Sequence, residues 1–149
     1  MIALDSNVFI YHLGEHPDFG TYAKELLKAV EDGQLTAITS ELTFTEVLGY
    51  PGMSDEQAII AEREIKKTNV KLNKVNADTL LLAASLRRKY NIRTPDAIHI
   101  ASAIRASATQ FISNDRKLLS KKIPEIEFVA LANIKEAILF PGDLKRSAP

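Results

Sequence analysis

Cysteine is absent from the 149 residues. That excludes a disulfide framework and a thiolate metal site, and it fits a reducing compartment such as the cytoplasm. No secretory leader is expected, because the N-terminus lacks a basic segment followed by a long apolar run. Long apolar runs are missing throughout. Leu80-Leu81-Leu82-Ala83-Ala84, among the longest, is far too short to cross a bilayer, so no membrane association is expected. A surplus of charge is missing too: 19 Lys and Arg stand against 19 Asp and Glu, which by itself argues against a general polyanion binder. Aromatic residues make up only 7%, and Phe9, Phe44 and Phe111 read as core, which leaves no evident platform for stacking bases. No repeat, low-complexity tract or linker interrupts the chain.

What is present is an ordinary globular composition, 46% hydrophobic and 26% charged, at a length that favours one domain with a real core. We expect a single domain over 1–141 and a loose tail over 142–149. Short apolar runs read as strands at Ile2 to Leu4, Leu35 to Ile38, Val70 to Leu72, Gln110 to Ile112 and Glu127 to Val129. Helices are expected over 6–13, Tyr22 to Val30, Ser40 to Leu48, 55–67 after a Ser54 cap, from Asn76 onward, from Thr94 onward, Arg116 to Lys121, and 133–139. In the helix after Asn76, Ala77, Leu80, Leu81 and Ala84 form the expected buried stripe. Thr94-Pro95 has the form of an N-cap followed by proline at the first helical position, and Ala97, Ile100, Ala101 and Ile104 are that helix's expected core face. Strands alternating with helices imply an α/β domain: a three-layer α/β/α sandwich around a mostly parallel sheet of about five strands. Ligands of such sheets bind outside the carboxyl ends of the strands.

Four acids fall at that edge. Asp5 follows the first strand directly. Glu46 lies two turns into the helix after the second, Asp96 is in the first turn of its helix, and Asp115 follows the fourth strand. Each also has a local reading. Asp5 suits a solvated turn, Thr43-Phe44-Thr45-Glu46 matches a capping box, Asp96 suits a helix dipole, and Asp115 can cap the next helix. Their conjunction at one edge points further. Two carboxylates about 4 Å apart repel by about 4 kcal/mol at an effective dielectric near 20, so four cannot stay ionised together without a cation. Hard oxygen ligands without cysteine suit Mg²⁺ or Mn²⁺. Such a site can hydrolyse phosphodiesters, with one metal or two. Setting the four acids aside leaves 15 acids against 19 bases on the remaining surface.

The stretches "ALDSNVFIYHL", "TSELTFTEVL", "TPDAIHIASA" and "FISNDRKLL" resemble, in this order, PIN-domain ribonucleases, most of all the VapC-type toxins of toxin–antitoxin pairs. The resemblance implies that Asp5, Glu46, Asp96 and Asp115 are a catalytic, metal-binding quartet supported by hydrogen bonds from Asn7 and Ser113. Ser6 and Ser113 stand where threonine is common, and both keep the hydroxyl. The resemblance further implies an RNA substrate, Mg²⁺ or Mn²⁺ as cofactor, a cognate antitoxin bound by the helices within 43–65, and a homodimer.

His99, three residues after Asp96, reads as packed or hydrogen-bonded rather than as a metal ligand. Arg116 and Lys117, next to Asp115, read as contacts for RNA phosphates. The cations of Arg87-Arg88-Lys89, Arg93 and Lys121-Lys122 read as solvated helix ends. Three rivals stay open: a haloacid-dehalogenase-like phosphatase, although Asn7 stands where that chemistry wants a second carboxylate; a receiver domain, whose acidic pocket is not matched; and an inert PIN module that binds RNA or protein without cutting.

Overall fold

Alternation along the strands supplies two cores. Ile2 and Leu4 of β1 (Ile2–Leu4) face one side of the sheet, while Ala3 faces the other; Phe111 and Ile112 of β4 (Gln110–Ser113) divide in the same way. A sheet apolar on both faces must be covered on both faces. The computed structural model, which describes residues 1–139, shows that arrangement.

Five strands pair in the order β3-β2-β1-β4-β5, every pair parallel, with β2 Ala37–Ser40, β3 Lys71–Asn73 and β5 Glu127–Ala130. One core joins α1 (Ser6–Leu13), α2 (Gly20–Glu31), α3 (Leu42–Leu48) and α4 (Asp55–Lys67) to Leu4, Ile112 and Val129. The other joins α5 (Ala77–Tyr90), α6 (Thr94–Arg105) and α7 (Arg116–Leu119) to Ala3, Ile38 and Phe111. The three-layer expectation holds, and the five described strands are wholly rather than mostly parallel. The chain steps outward from β1 to β3, then crosses to β4 on the other flank. The strand order therefore reverses between β1 and β4, the switch point where ligands of such sheets bind.

Several expectations need correction. The second strand runs two residues later than Leu35–Ile38, because Ala37, Ile38 and Thr39 are the residues that enter the core. Helix α6 begins at Thr94 itself, with Arg93 as an N-cap that makes no side-chain bond. Helix α7 ends at Leu119, and the expected helix over 133–139 is a 3₁₀ turn, Leu131–Asn133, followed by a π-helix, Lys135–Leu139. The largest reversal concerns α5. Thr79, Ala83 and Leu86 are its buried residues, whereas Leu80 is 47% and Leu81 69% exposed. Helix α5 packs on α6, and that contact selects the face one position away from the larger leucines. The expected tail, 142–149, and residues 140–141 of the expected domain lie outside the described residues.

The α3–α4 turn depends on Gly49. A Cβ built there would stand 2.3 Å from the Thr45 carbonyl oxygen, so the close approach of backbone requires glycine. Ser54 then opens α4 with a reciprocal capping box to Gln57.

Candidate active site

Asp5 is the residue at which β1 stops. Its backbone N–H still donates to the Ile112 carbonyl of β4, at 2.9 Å, and its side chain caps α1 by accepting from Ser6 N at 2.7 Å. The carboxylate is thereby held at the switch point, in a buried position. Ser113, at the end of β4, donates its hydroxyl to Asp5 Oδ2 at 2.7 Å and accepts from Asp115 N at 3.1 Å. Asn7 Nδ2 reaches Ser113 Oγ at 3.4 Å and Asp5 Oδ2 at 3.5 Å. Asn7 Oδ1 is buried without a hydrogen-bond partner. On the neighbouring strand, Thr39 Oγ1 donates to the Leu4 carbonyl at 2.9 Å and lies 2.7 Å from Thr43 Oγ1. That contact ties the start of α3 to β1. Thr43 is therefore a buried tie inside α3, and the capping box to Glu46 does not form.

The other acids come from three further elements. Asp96 is in the first turn of α6 and buried. Asp115 caps α7, accepting from Lys117 N at 2.9 Å. Glu46 projects from α3 onto the Nε2 of His99, a buried residue of α6 whose Nδ1 has no partner. Burial pushes the Asp5 carboxyl above its ordinary value; His99 and the bonds from Ser113 and Ser6 oppose the shift, and Asp96 adds to it. Burial likewise raises Asp96. Arg93 lowers it through charge and a hydrogen bond, and Asp115 and Glu46 raise it. Asp5 thus feels Asp96, and Asp96 feels both Glu46 and Asp115: all four acids meet at one end of the sheet.

Arg93 is the residue at this site whose place was not foreseen. Its Nε lies 3.3 Å from Asp96 Oδ2 and its Nη2 4.0 Å from Asp115 Oδ2, while its side chain stays 75% exposed. The available signal was a cation three residues before an acid at a helix start. Among the described residues, no group of three or more His, Cys, Asp or Glu side chains stands in metal-holding geometry. Glu46 is turned onto His99, and Asp96 and Asp115 face Arg93. The donor set is nonetheless all hard oxygen, and the orphaned Asn7 Oδ1 beside Asp5 is a further oxygen of the same kind. The donor chemistry of these residues fits a divalent cation, and gathering them on one requires Arg93 to leave Asp96 and Asp115.

Lys117 borders this site, and Arg116 is exposed at the start of α7. Between residues 43 and 65 the apolar side chains divide. Val47 and Ile65 are buried, Phe44, Leu48 and Met53 half-buried, and Ile59 and Ile60 exposed, joined by exposed Tyr50. Among the described residues, no helix is long and apolar enough to cross a membrane.

A model of the PIN domain family matches residues 2–123. A toxin–antitoxin complex from Klebsiella pneumoniae contains a chain of similar fold, with a TM-score of 0.67 at 21% identity, covering 88% of this chain and 98% of that one. VapBC2 from Rickettsia felis, bound to a DNA fragment from its promoter, gives 0.66 at 20% identity, with 87% and 98% covered. DNA-bound VapBC from Salmonella typhimurium gives 0.63 at 18% identity, with 87% and 97% covered. At such identities the likeness is one of fold. No curated protein matches the chain.

Proposed function

The chain belongs to the PIN-domain family, and on that premise we propose that it is a metal-dependent endoribonuclease, the toxin of a toxin–antitoxin pair, acting in the cytoplasm. One observation carries the reading: Asp5 and Asp96, remote in sequence, are both buried at the carboxyl end of the sheet, where the charge of Asp96 adds to the cost of ionising Asp5. A bare pocket of this kind is unfavourable at neutral pH, and a Mg²⁺ or Mn²⁺ ion relieves it.

Asp5, Asp96, Asp115 and Glu46 would hold the ion. When bound, the ion supplies Lewis acidity, easing deprotonation of water and offsetting charge on the phosphate. Ser113 and Asn7 orient the Asp5 carboxylate through their hydrogen bonds. His99 fixes Glu46 from within α6. Arg116 and Lys117 attract the RNA backbone. The exposed Ile59, Ile60 and Tyr50 offer an apolar surface for the antitoxin, and Leu80 and Leu81 on α5 offer one for a second copy of the chain. The deciding experiment incubates purified protein with single-stranded RNA and Mg²⁺ or Mn²⁺. Cutting that survives EDTA would sink the reading.

A second reading has its own observation. Arg93 and His99 already neighbour three of the four acids, as they would in an inert module that binds RNA or protein without cutting. Calorimetry with Mn²⁺ separates the two, since an inert module in a folded sample takes up no heat-detectable metal.

A further inference from the structure

A cleft of about 490 Å³ opens beside the acids, between the α5–α6 turn and α7. Asp96 and Asp115 form its inner end. Arg87, Arg93, Lys117 and Lys121 stand along the rest. Arg116, adjacent to Lys117 in sequence, is not part of this wall. The turn that builds the cleft depends on Asn91, which caps α5 in the left-handed conformation, φ 53° and ψ 58°, that asparagine tolerates better than most residues. The reversal lets Arg87 Nε donate to the Ile92 carbonyl at 3.2 Å. That bond orients the guanidinium, and among the described residues its terminal N–H groups have no hydrogen-bond partner.

Charge is concentrated here in a chain whose formal net charge is zero. Arg93 faces the two acids. Among the described residues, no carboxylate lies within ion-pair distance of Arg87, Lys117 or Lys121. Three uncompensated cations in a concave wall focus a positive potential next to the acids. Among the described residues, no aromatic ring lines the cleft, so its lining has the means to hold a backbone and not to stack bases.

We propose that this cleft holds the phosphates of the RNA strand flanking the bond to be cut, with Arg87, Lys117 and Lys121 as the groups that meet them. The inference rests on the acids being the cleavage site, and it specifies along which side of them the strand runs. Recognition here is independent of base sequence, because only phosphates are touched.

The test measures binding of a labelled single-stranded RNA by fluorescence anisotropy, in an Asp5→Asn background that leaves the strand uncut. Reversing Arg87→Glu and Lys121→Glu together is expected to weaken binding about tenfold or more. It should also make the salt dependence shallower by about 0.7 for each phosphate that is no longer neutralised. Lys24→Glu, on α2 and away from the cleft, is the control for net charge and should change affinity less than about twofold. If the double reversal only equals the control, or the parent binds no RNA, the cleft proposal is wrong. Should the Arg87 variant unfold without its bond to Ile92, the pair Lys117→Glu and Lys121→Glu gives the same reading and leaves that bond in place. Cutting by the wild-type chain is scored separately. Binding as expected without any cutting defeats the nuclease reading and leaves the cleft standing, whereas cutting with unaffected binding does the reverse.

Discussion

The imidazole of His99, buried in α6, is seated against the carboxylate of Glu46 in α3. The contact joins helices from opposite layers of the sandwich, across the carboxyl end of the sheet. It makes His99 a positioning residue. His99→Ala should lower the melting temperature by an amount corresponding to about 1–3 kcal/mol, since a buried bond and its packing go together. It should also lower the RNA cleavage rate while changing KM little. Glu46→Gln should instead weaken Mn²⁺ binding in calorimetry. Identical metal affinity in wild type and Glu46→Gln would remove Glu46 from the ligand set.

Asp5→Asn and Asp96→Asn should each reduce RNA cleavage by roughly a hundredfold or more and leave the fold intact. Far-ultraviolet circular dichroism checks the fold, and a gel assay of labelled RNA checks the activity. A fully active Asp96→Asn enzyme would refute the proposed catalytic centre.

The same two acids predict how stability depends on pH. Burial raises both carboxyls above the ordinary aspartate value of 3.8. The folded chain therefore keeps these protons to higher pH than the unfolded chain does. Their contribution to stability is fully present below 3.8 and is lost as pH rises through the folded values. In EDTA, the melting temperature of the wild type should fall relative to that of Asp5→Asn as pH is raised from about 4 to about 7. Mn²⁺ at a hundred times its Kd should restore about 2.7 kcal/mol at neutral pH. A wild type that gains on Asp5→Asn as pH rises, in EDTA, would contradict the burial argument.

Gly49→Ala tests the α3–α4 turn. The new methyl meets the Thr45 carbonyl, so the turn must open, at a cost of about 1–3 kcal/mol in chemical denaturation. An unchanged denaturation midpoint would show that the turn relaxes freely.

The exposed apolar residues predict partners. Ile59→Asp with Ile60→Asp should leave the melting temperature within about 0.5 kcal/mol of wild type. The same pair should abolish co-purification with a small protein encoded by the adjoining gene. Leu81→Glu should convert a dimer to a monomer in light scattering. A wild type that is already monomeric would remove the dimer from the proposal.

The two layers of helix, the placement of Asp5 after β1 and the Asn76 and Ser54 caps were legible because they depend on neighbours a few residues away. The face of α5 was not. Two apolar stripes coexist on that helix, and periodicity favours the larger leucines, but Ala83 and Leu86 are the ones that enter the core shared with α6. Glu46 looked equally at home in a capping box, until Thr43 turned inward to Thr39.

The residue pattern by itself determined a doubly covered sheet and delivered an acid to the end of each of several segments, because strand alternation and helix capping are local preferences of the chain. Only the tertiary structure decided which groups stand against those acids. His99 meets Glu46, and Arg93, local to Asp96, reaches across to Asp115, since these pairings are set by how distant segments pack and by which charges burial forces to find a partner.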